Sequence, residues 1–204
     1  MVTWRDLSVA GEGIVDVIDY VPTRHKLHVD DYYRMIDAGI LGQEDHVELI
    51  EGEIIDMAPI GQDHAGTVNS LNEALFLGFA GRAVVAPQNP VGVNDRSVPQ
   101  PDFAVLRRRA DFYRSGERPG PADVLLLIEV SDTSLHYDRT VKLPLYARAG
   151  IPEVWIVDLQ QCVVDVHTAP SDGRYTGVVT MRQGDTLSPS LAPDVRIGWE
   201  QVFR

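Results

Sequence analysis

A near-continuous apolar run, DVLLLIEVS at residues 123–131, constrains the fold of this chain more than any other segment. Apolar residues at nearly every position predict a strand that is covered on both faces, in the middle of a sheet. Glu129 lies inside this run, where an unpaired carboxylate would cost several kcal/mol. We therefore expect Glu129 to meet a cation or a set of hydrogen-bond donors. The alternative is that Glu129 lies at the exposed end of the strand, where Asp132 begins a loop.

The longest helical pattern runs from Gln62 to Ala80, and Gly81 stands where a helix commonly ends. Apolar residues recur along it with a period of about 3.6 residues. These positions are Ala65, Val68, Leu71, Leu75, Phe76 and Phe79. The pattern predicts one long amphipathic helix.

Two shorter helices are expected. The segment DRTVKLPLYARAG predicts one of them, ended by Gly150. Pro144 has no N–H to donate, so either the regular helix begins only near Lys142 or a kink lies at the proline. The segment HVDDYYRMIDAGI predicts the other, with Asp30 as its N-cap and an apolar side formed by Tyr33, Ile36 and Ile40.

Short apolar runs bounded by turn residues predict the remaining strands. VELIEGEIIDM predicts a hairpin that turns at Glu51-Gly52, and DGRYTGVVTM predicts a strand after a turn at Asp172-Gly173. Further strands are expected in RAVVAP, PDFAVL, EVWIVDL and CVVDVHT. A chain of 204 residues is long enough for one substantial α/β or α+β core, so we expect a single domain over residues 1–204.

The net charge of −12 argues against a protein that holds nucleic acid across a broad basic surface. It does not exclude a nuclease whose acids surround a metal ion, because a divalent cation reverses the local field. Arg107, with Arg108 and Arg109, forms one compact basic strip that would suit phosphates. The alternative for this strip is a solvated strand end followed by a turn, since successive side chains of a strand point to opposite faces.

The N-terminal sequence and the cysteine content indicate the cellular compartment. The opening MVTWRDLSVAGEG carries charges where a secretory signal needs an apolar stretch, and no apolar run of 18 residues occurs. We therefore expect no membrane span and a cytoplasmic location. The single cysteine, Cys162, excludes a disulfide within the chain and a cysteine-based zinc site. Because Cys162 begins the apolar run CVVDV, it is expected to be a small core residue.

Four polar residues interrupt or border apolar elements, namely Glu48, Asp102, Glu129 and Lys142. Asp102 follows Pro101, which fixes the chain as it enters a strand, although Pro-Asp also starts ordinary turns. The spacing 129 − 102 = 27 leaves room for a strand, a turn and a return along an adjacent antiparallel strand. Asp102 and Glu129 can then meet side by side. Paired carboxylates of this kind suit Mg²⁺ or Mn²⁺.

An ordered series of motifs over about residues 27–168 carries a family resemblance. The series comprises VELIEGEI, a helix that opens with His64, PQPDFAVL, LLLIEVSDTS, the spacing Asp138-x-x-x-Lys142-x-x-x-Tyr146 and AGIPEVWIVDL. In this series the chain resembles the Uma-type restriction endonucleases, formerly known only as a domain of unknown function. That family belongs to the PD-(D/E)XK nuclease superfamily.

The resemblance implies a restriction-endonuclease-like α/β (α+β) fold, with a mixed central sheet flanked by helices and additional antiparallel strands. It implies a nuclease that binds nucleic acid, with Asp102 and Glu129 as ligands of Mg²⁺ or Mn²⁺ and Glu48 as the further acid. It also places His64 near the metal, where imidazole is a common ligand and general base. The alternative for His64 is a capping or packing role.

In the superfamily a lysine often lies two positions after the second acid, and this chain has Ser131 there. Lys142 is the candidate replacement, because a residue on the next helix can point back across the strand ends. The alternative is a surface i,i+4 pair with Asp138, worth a few tenths of a kcal/mol. Tyr146 shares the face of Lys142, and would either cover the site as a substrate contact or pack into the core.

Three functions remain open at this point. The first is a metal-dependent endonuclease that hydrolyses phosphodiester bonds of nucleic acid, most simply DNA, and acts as a homodimer because two strands need two active sites. The second is a non-catalytic interaction module that keeps the fold, which the missing lysine and the acidic balance favour. The third is a metal-dependent hydrolase of smaller phosphate esters, which would fit the acidic surface.

Overall fold

The structure is a computed structural model that describes residues 22–115 and 117–203, together with two short strands near the N-terminus. These two strands, β1 (Trp4–Leu7) and β2 (Val15–Ile18), pair antiparallel. The remaining strands are β3 (Val47–Ile50), β4 (Glu53–Asp56), β5 (Ala83–Pro87), β6 (Phe103–Arg107), β7 (Val124–Ser131), β8 (Glu153–Asp158), β9 (Val163–Ser171), β10 (Arg174–Met181), β11 (Thr186–Leu187) and β12 (Ile197–Gly198). The α-helices are α1 (Val29–Asp37), α2 (Gln62–Phe79), α3 (Leu135–Tyr137), α4 (Leu143–Arg148) and α5 (Trp199–Val202).

A six-stranded mixed sheet in the order β10-β9-β8-β7-β6-β5 forms the centre of the fold. Neighbouring strands pair antiparallel except β7 and β8, which are parallel. A parallel pair needs a crossover connection. Here α3, a π-helix (Asp138–Lys142) and α4 supply it. The predicted mixed central sheet with flanking helices is therefore confirmed.

Both faces of β7 are covered, which explains its unbroken apolar sequence. Alternate residues of the strand enter two separate cores. On one side Leu126, Ile128 and Val130 pack with residues of α2 that include Leu71 and Leu75. On the other side Leu127 packs with residues of α4 that include Leu145. The predicted central position of this strand is confirmed.

The N-terminus of α1 differs from the prediction by two residues. The helix begins at Val29, and its N-cap is His28 rather than Asp30. The backbone N–H of His28 donates to Asp31 Oδ2 at 2.9 Å. The carboxylate of Asp31, three residues after His28, thus satisfies the N-cap N–H, and Asp30 lies within the first turn.

The periodic pattern also misassigned several apolar side chains. Tyr32 is the buried residue of α1, and its hydroxyl donates to the Val47 carbonyl at 3.0 Å. Ile36 and Ile40, predicted to face inward, are exposed, and so is Phe76 of α2. Helix α1 packs through Tyr32 and Tyr33 against the loop and hairpin around β3, so of the predicted apolar side only Ile36 and Ile40 face outward.

The segment around Pro144 is confirmed as one in which the regular helix begins late. Pro144 lies in the first turn of α4, where a missing N–H leaves no bond unmade. The π-helix precedes it, and the N–H of Leu143 donates to the carbonyl of Asp138, five residues back. The wider π-turn changes which side chains face the sheet.

The structure bears on the predictions for Cys162 and for membrane spans. Cys162 is exposed in the turn between β8 and β9 at φ 52°, so its predicted core position is wrong. The reason is that β9 begins only at Val163. Among the described helices, none is long and apolar enough to cross a membrane. Residues 1–13, which the predicted cytoplasmic location depends on, lie outside the described residues apart from β1.

The hairpin of β3 and β4 is confirmed, with its turn at Glu51 (φ 49°) and Gly52 (φ 78°). This turn is tied to two other segments. The Leu27 N–H donates to the Gly52 carbonyl at 2.9 Å, and the Gly52 N–H donates to the Arg96 carbonyl at 2.8 Å. The hairpin is thereby held against the loop that precedes β6.

We expect Gly52→Ala to lower the free energy of unfolding by roughly 2–3 kcal/mol, through a left-handed φ and a steric clash. A Cβ at this position would lie 2.8 Å from Lys26 Cβ and 2.9 Å from the Leu27 carbonyl oxygen. Gly39→Ala is the matched control, because its φ is 69° and nothing lies within 4 Å of its Cβ. It should cost only about 1 kcal/mol. Urea unfolding measures both, and equal losses would contradict the packing described here.

Candidate active site

Glu129 is the buried centre of a cluster of charged side chains at one end of the central sheet. It is 3% exposed, in a strand whose other residues are all apolar except Ser131. Its Oε1 accepts a hydrogen bond from the Tyr146 hydroxyl at 2.5 Å and lies 3.3 Å from Lys142 Nζ. Because the side chain is buried, the alternative of an exposed carboxylate at the strand end is wrong. The carboxylate meets both a cation and a donor.

Lys142 lies between two acids. Its Nζ is 3.2 Å from Glu48 Oε2 and 3.3 Å from Glu129 Oε1, and its side chain is buried. As the last residue of the π-helix, Lys142 points back towards the ends of the strands. Asp138 is also buried, so the alternative of a surface i,i+4 pair is wrong.

Glu48 reaches the cluster from outside the central sheet. Its strand β3 is attached through an isolated bridge between Leu49 and Val98, whose N–H donates to the Leu49 carbonyl at 2.8 Å. Glu48 Oε2 also accepts the N–H of Gln100 at 3.1 Å. Gln100 lies two residues before Asp102. One short loop therefore fixes the positions of both acids.

Asp102 lies just before β6 and next to Glu129, because β6 and β7 pair antiparallel. Asp102 Oδ2 accepts the backbone N–H of Val130 at 2.8 Å, and the carboxylate lies 3.2 Å from His64 Nε2. His64 belongs to the first turn of α2, and its side chain contacts Asp102 rather than capping the helix. Among the described residues, the buried Nδ1 of His64 has no hydrogen-bond partner.

Asp138 belongs to the same region, although the sequence analysis considered it only as a neighbour of Lys142. Asp138 Oδ2 accepts hydrogen bonds from Ser131 Oγ at 2.7 Å and from Ser134 Oγ at 2.6 Å. Ser131 stands where the superfamily has its lysine, and here it holds an acid instead. The sequence signal for this contact was the pair of hydroxyl residues, Ser131 and Ser134, shortly before Asp138, and the sequence analysis did not use it.

The electrostatics of the cluster follow from burial and mutual proximity. Burial raises the pKa of the Glu129 carboxyl to about 8, against the opposite influence of Lys142. Burial also disfavours the charged form of Lys142, but Glu129 and Glu48 outweigh it and hold the pKa of the ammonium above its usual value. The hydrogen bond with Asp102 raises the pKa of His64. Lys142 is therefore a permanent cation, whereas Glu129 competes for a proton near neutral pH.

The chemistry of the donor set fits a divalent cation. Glu48, Asp102, Glu129 and Asp138 are opposed by one lysine and one histidine, which leaves surplus negative charge in a largely buried space. Mg²⁺ is often bound by one or two carboxylates, with water and substrate phosphate as the other ligands. In the described part of the chain, however, no three His, Cys, Asp or Glu side chains converge on one ion-sized space. The ammonium of Lys142 lies between two of the acids instead.

Two residues predicted to bind substrate lie elsewhere. Arg107 ends β6 at the opposite end from Asp102, and its Nε donates to the Ala122 carbonyl at 2.9 Å. The structure therefore does not bring Arg107 to the cluster. Tyr146 is 0% exposed, and it contacts Glu129 from within the core. Of the two alternatives for Tyr146, the structure shows the one in which it packs into the core.

A family model identifies the relatives of this chain. The model of the family Uma2, described as "Putative restriction endonuclease", matches residues 29–200. The chain belongs to the Uma2 family. The resemblance inferred from the ordered motifs is confirmed.

A solved structure supports the same fold. The chain is similar to a protein described as a "putative nuclease belonging to DUF820 from Anabaena variabilis ATCC 29413", with a TM-score of 0.68 and 16% sequence identity. The alignment covers 87% of this chain and 97% of that one. At this identity the similarity shows the fold alone. No curated protein matches the chain significantly.

We expect the free energy of unfolding to fall by about 2–4 kcal/mol as the pH rises from about 5 to about 8 in metal-free buffer. The pKa of Glu129 is raised from an ordinary 4.5 to about 8 in the folded state. In this range the folded protein holds a proton that the unfolded chain has lost, so raising the pH favours unfolding. Urea denaturation at several pH values measures the effect.

Glu129→Gln should remove most of this pH dependence, because the amide does not titrate. Glu44→Gln, at an exposed position, should retain it. If Glu129→Gln showed the same slope as the unmodified protein, the raised pKa would not belong to Glu129.

Proposed function

We propose that this chain is a metal-dependent endonuclease that hydrolyses phosphodiester bonds of DNA. The observation that carries the proposal is the buried carboxylate Glu129, compensated by Lys142 and set beside Asp102 at the end of the central sheet. A buried acid with a strongly shifted pKa, next to a specific charged partner, is typical of functional sites. Membership of the Uma2 family supports the reaction class.

Asp102 and Glu129, with Glu48 as a further acid, would hold Mg²⁺ or Mn²⁺. When bound, such an ion polarises a phosphoryl oxygen and lowers the pKa of water. Two neighbours would hold the carboxylates in place. Tyr146 fixes one oxygen of Glu129, and His64 orients Asp102 through Nε2. This positioning role replaces the prediction that His64 itself binds the ion.

Lys142 would stabilise negative charge at the reacting phosphate. Its ammonium is held by Glu48 and Glu129, and its raised pKa keeps it charged at any working pH. A cation held in a water-poor site stabilises developing charge more strongly than one in bulk water. Lys142 would thus take the role that the superfamily lysine has two positions after the second acid.

Asp102→Asn and Glu129→Gln should each lower the rate of DNA cleavage with Mg²⁺ or Mn²⁺ by roughly 100-fold or more, because each removes a charge that the ion requires. Asp172→Asn is the matched control. It makes the same chemical change in an exposed turn at φ 50°, a conformation that asparagine tolerates. Cleavage of plasmid, single-stranded DNA, RNA and a nucleotide diester gives the rates. Wild-type cleavage by either site variant would overturn the site assignment.

The same proteins distinguish an active nuclease from a non-catalytic module with the same fold. A competent site gains stability as metal saturates it, by about 2.7 kcal/mol at 100 times the dissociation constant. We expect Mg²⁺ or Mn²⁺ to raise the melting temperature of the unmodified chain and of Asp172→Asn, but not of Asp102→Asn. A module without a metal site would show no such rise in any of the three proteins.

We further propose that the chain is one restriction-endonuclease-like domain that forms a two-fold homodimer, because cutting two strands needs two sites. The edge strand β10 is the surface that we assign to the contact. Val178 and Val179 are exposed on it, and no charged residue lies between Arg174 and Arg182. An uncharged edge can pair antiparallel with a second copy of itself.

Val179→Lys should convert the dimer into a monomer, because it places two like charges on neighbouring strands at the contact. Leu191→Lys is the control, since it adds the same charge at an exposed apolar position outside the strand. Light scattering coupled to size exclusion reports the mass. A monomeric unmodified chain, or a Val179→Lys variant that stays dimeric, would contradict this contact.

A further inference from the structure

Tyr137 has a buried phenol oxygen with no hydrogen-bond partner among the described residues. It is the last residue of α3 and directly precedes Asp138. A buried hydroxyl left unpaired costs about 1–3 kcal/mol, so such groups are uncommon in native proteins. Where they occur beside a reactive site, a bound ligand is the economical explanation.

The π-helix aligns Tyr137 with the residues that contact Glu129. A π-turn brings residues five positions apart onto the same side, and an α-turn does this for residues four apart. Tyr137 precedes Lys142 by five positions, and Lys142 precedes Tyr146 by four. Lys142 and Tyr146 both contact Glu129 Oε1. Tyr137 is therefore the first member of the same row.

The charged groups of the cluster also act on the Tyr137 hydroxyl. Burial raises the pKa of Tyr137 to about 12, and Glu48 adds to this effect while Lys142 opposes it. Asp138 and Glu129 act in the same direction as Glu48. All four of these charged groups belong to the cluster around Glu129. None of the described residues nevertheless accepts its proton.

We propose that the Tyr137 hydroxyl donates a hydrogen bond to a non-bridging oxygen of the scissile phosphate. This inference rests on the proposed function as a phosphodiesterase. A phosphate that enters a space lined by carboxylates needs donors besides Lys142, and a phenol that keeps its proton supplies one. His64 Nδ1, the other side of the ring that contacts Asp102, is a second buried polar atom without a partner near these acids.

The test compares Tyr137→Phe with Tyr33→Phe. Tyr33, in α1, has the other buried phenol oxygen that lacks a partner in the described chain, and its ring lies under the guanidinium of Arg118. Each variant loses one unpaired hydroxyl, but only Tyr137 borders the acids. Both are assayed with Mg²⁺ or Mn²⁺ on a duplex DNA and on bis(p-nitrophenyl) phosphate, a small diester, and their urea unfolding midpoints are measured.

Tyr137→Phe should lower the cleavage rate by about 10- to 100-fold on both substrates, because the scissile phosphate is common to them. Its unfolding midpoint should stay equal or rise, since only an unpaired hydroxyl is removed. Tyr33→Phe should cleave both substrates at the unmodified rate.

Three results for Tyr137→Phe would overturn the inference while the proposed function stands. They are an unchanged rate, a loss confined to the duplex, and a lower unfolding midpoint, which would reveal a structural partner for the hydroxyl. If the unmodified chain cleaves neither substrate, the proposed function itself fails, and the role of Tyr137 fails with it.

Discussion

The carboxylate of Glu129 lies inside a strand that is almost completely buried, and the chain around it is arranged to compensate that charge. The ammonium of Lys142 lies between Glu48 and Glu129, and the Tyr146 hydroxyl donates a hydrogen bond to the same Glu129 oxygen that Lys142 contacts. Removing one partner of such a buried group typically costs 3–5 kcal/mol, roughly a third or more of the stability of an ordinary domain. Replacing a buried ion pair by well-packed apolar residues is often neutral or stabilising. We infer that the acids are retained for chemistry.

Separate parts of the chain meet at this cluster, and hydrogen bonds hold each of them in place. The loop before β6 holds Glu48 through Gln100 and carries Asp102 into register with β7. The crossover between the two parallel strands includes a π-turn, which directs Lys142 towards the sheet. π-Turns within helices are often found at functional sites. The central sheet therefore supplies the frame, and the crossover supplies the cation.

The sequence predicted the frame well and the details of the site only in part. An apolar run with one carboxylate was enough to locate β7 and Glu129, and the spacing to Asp102 was enough to place two acids side by side. The position of Lys142 came from a family resemblance, because helical periodicity cannot reveal a π-turn. For the same reason the burial of Tyr146 was predicted only as one of two alternatives, and the contacts of Asp138 and the alignment of Tyr137 were not predicted. The apolar side of α1 was partly misassigned because periodicity does not say which side meets a neighbour.

The central claim is that Asp102 and Glu129 form a binding site for a divalent cation, next to a lysine that stays charged. The most direct measurement is a crystal structure of the chain grown with Mn²⁺, with diffraction data collected to locate manganese by its anomalous scattering. The account predicts one strong anomalous peak within about 2.0–2.4 Å of oxygens from both carboxylates. An anomalous map without a peak there, with the ammonium of Lys142 still bridging Glu48 and Glu129, would contradict it.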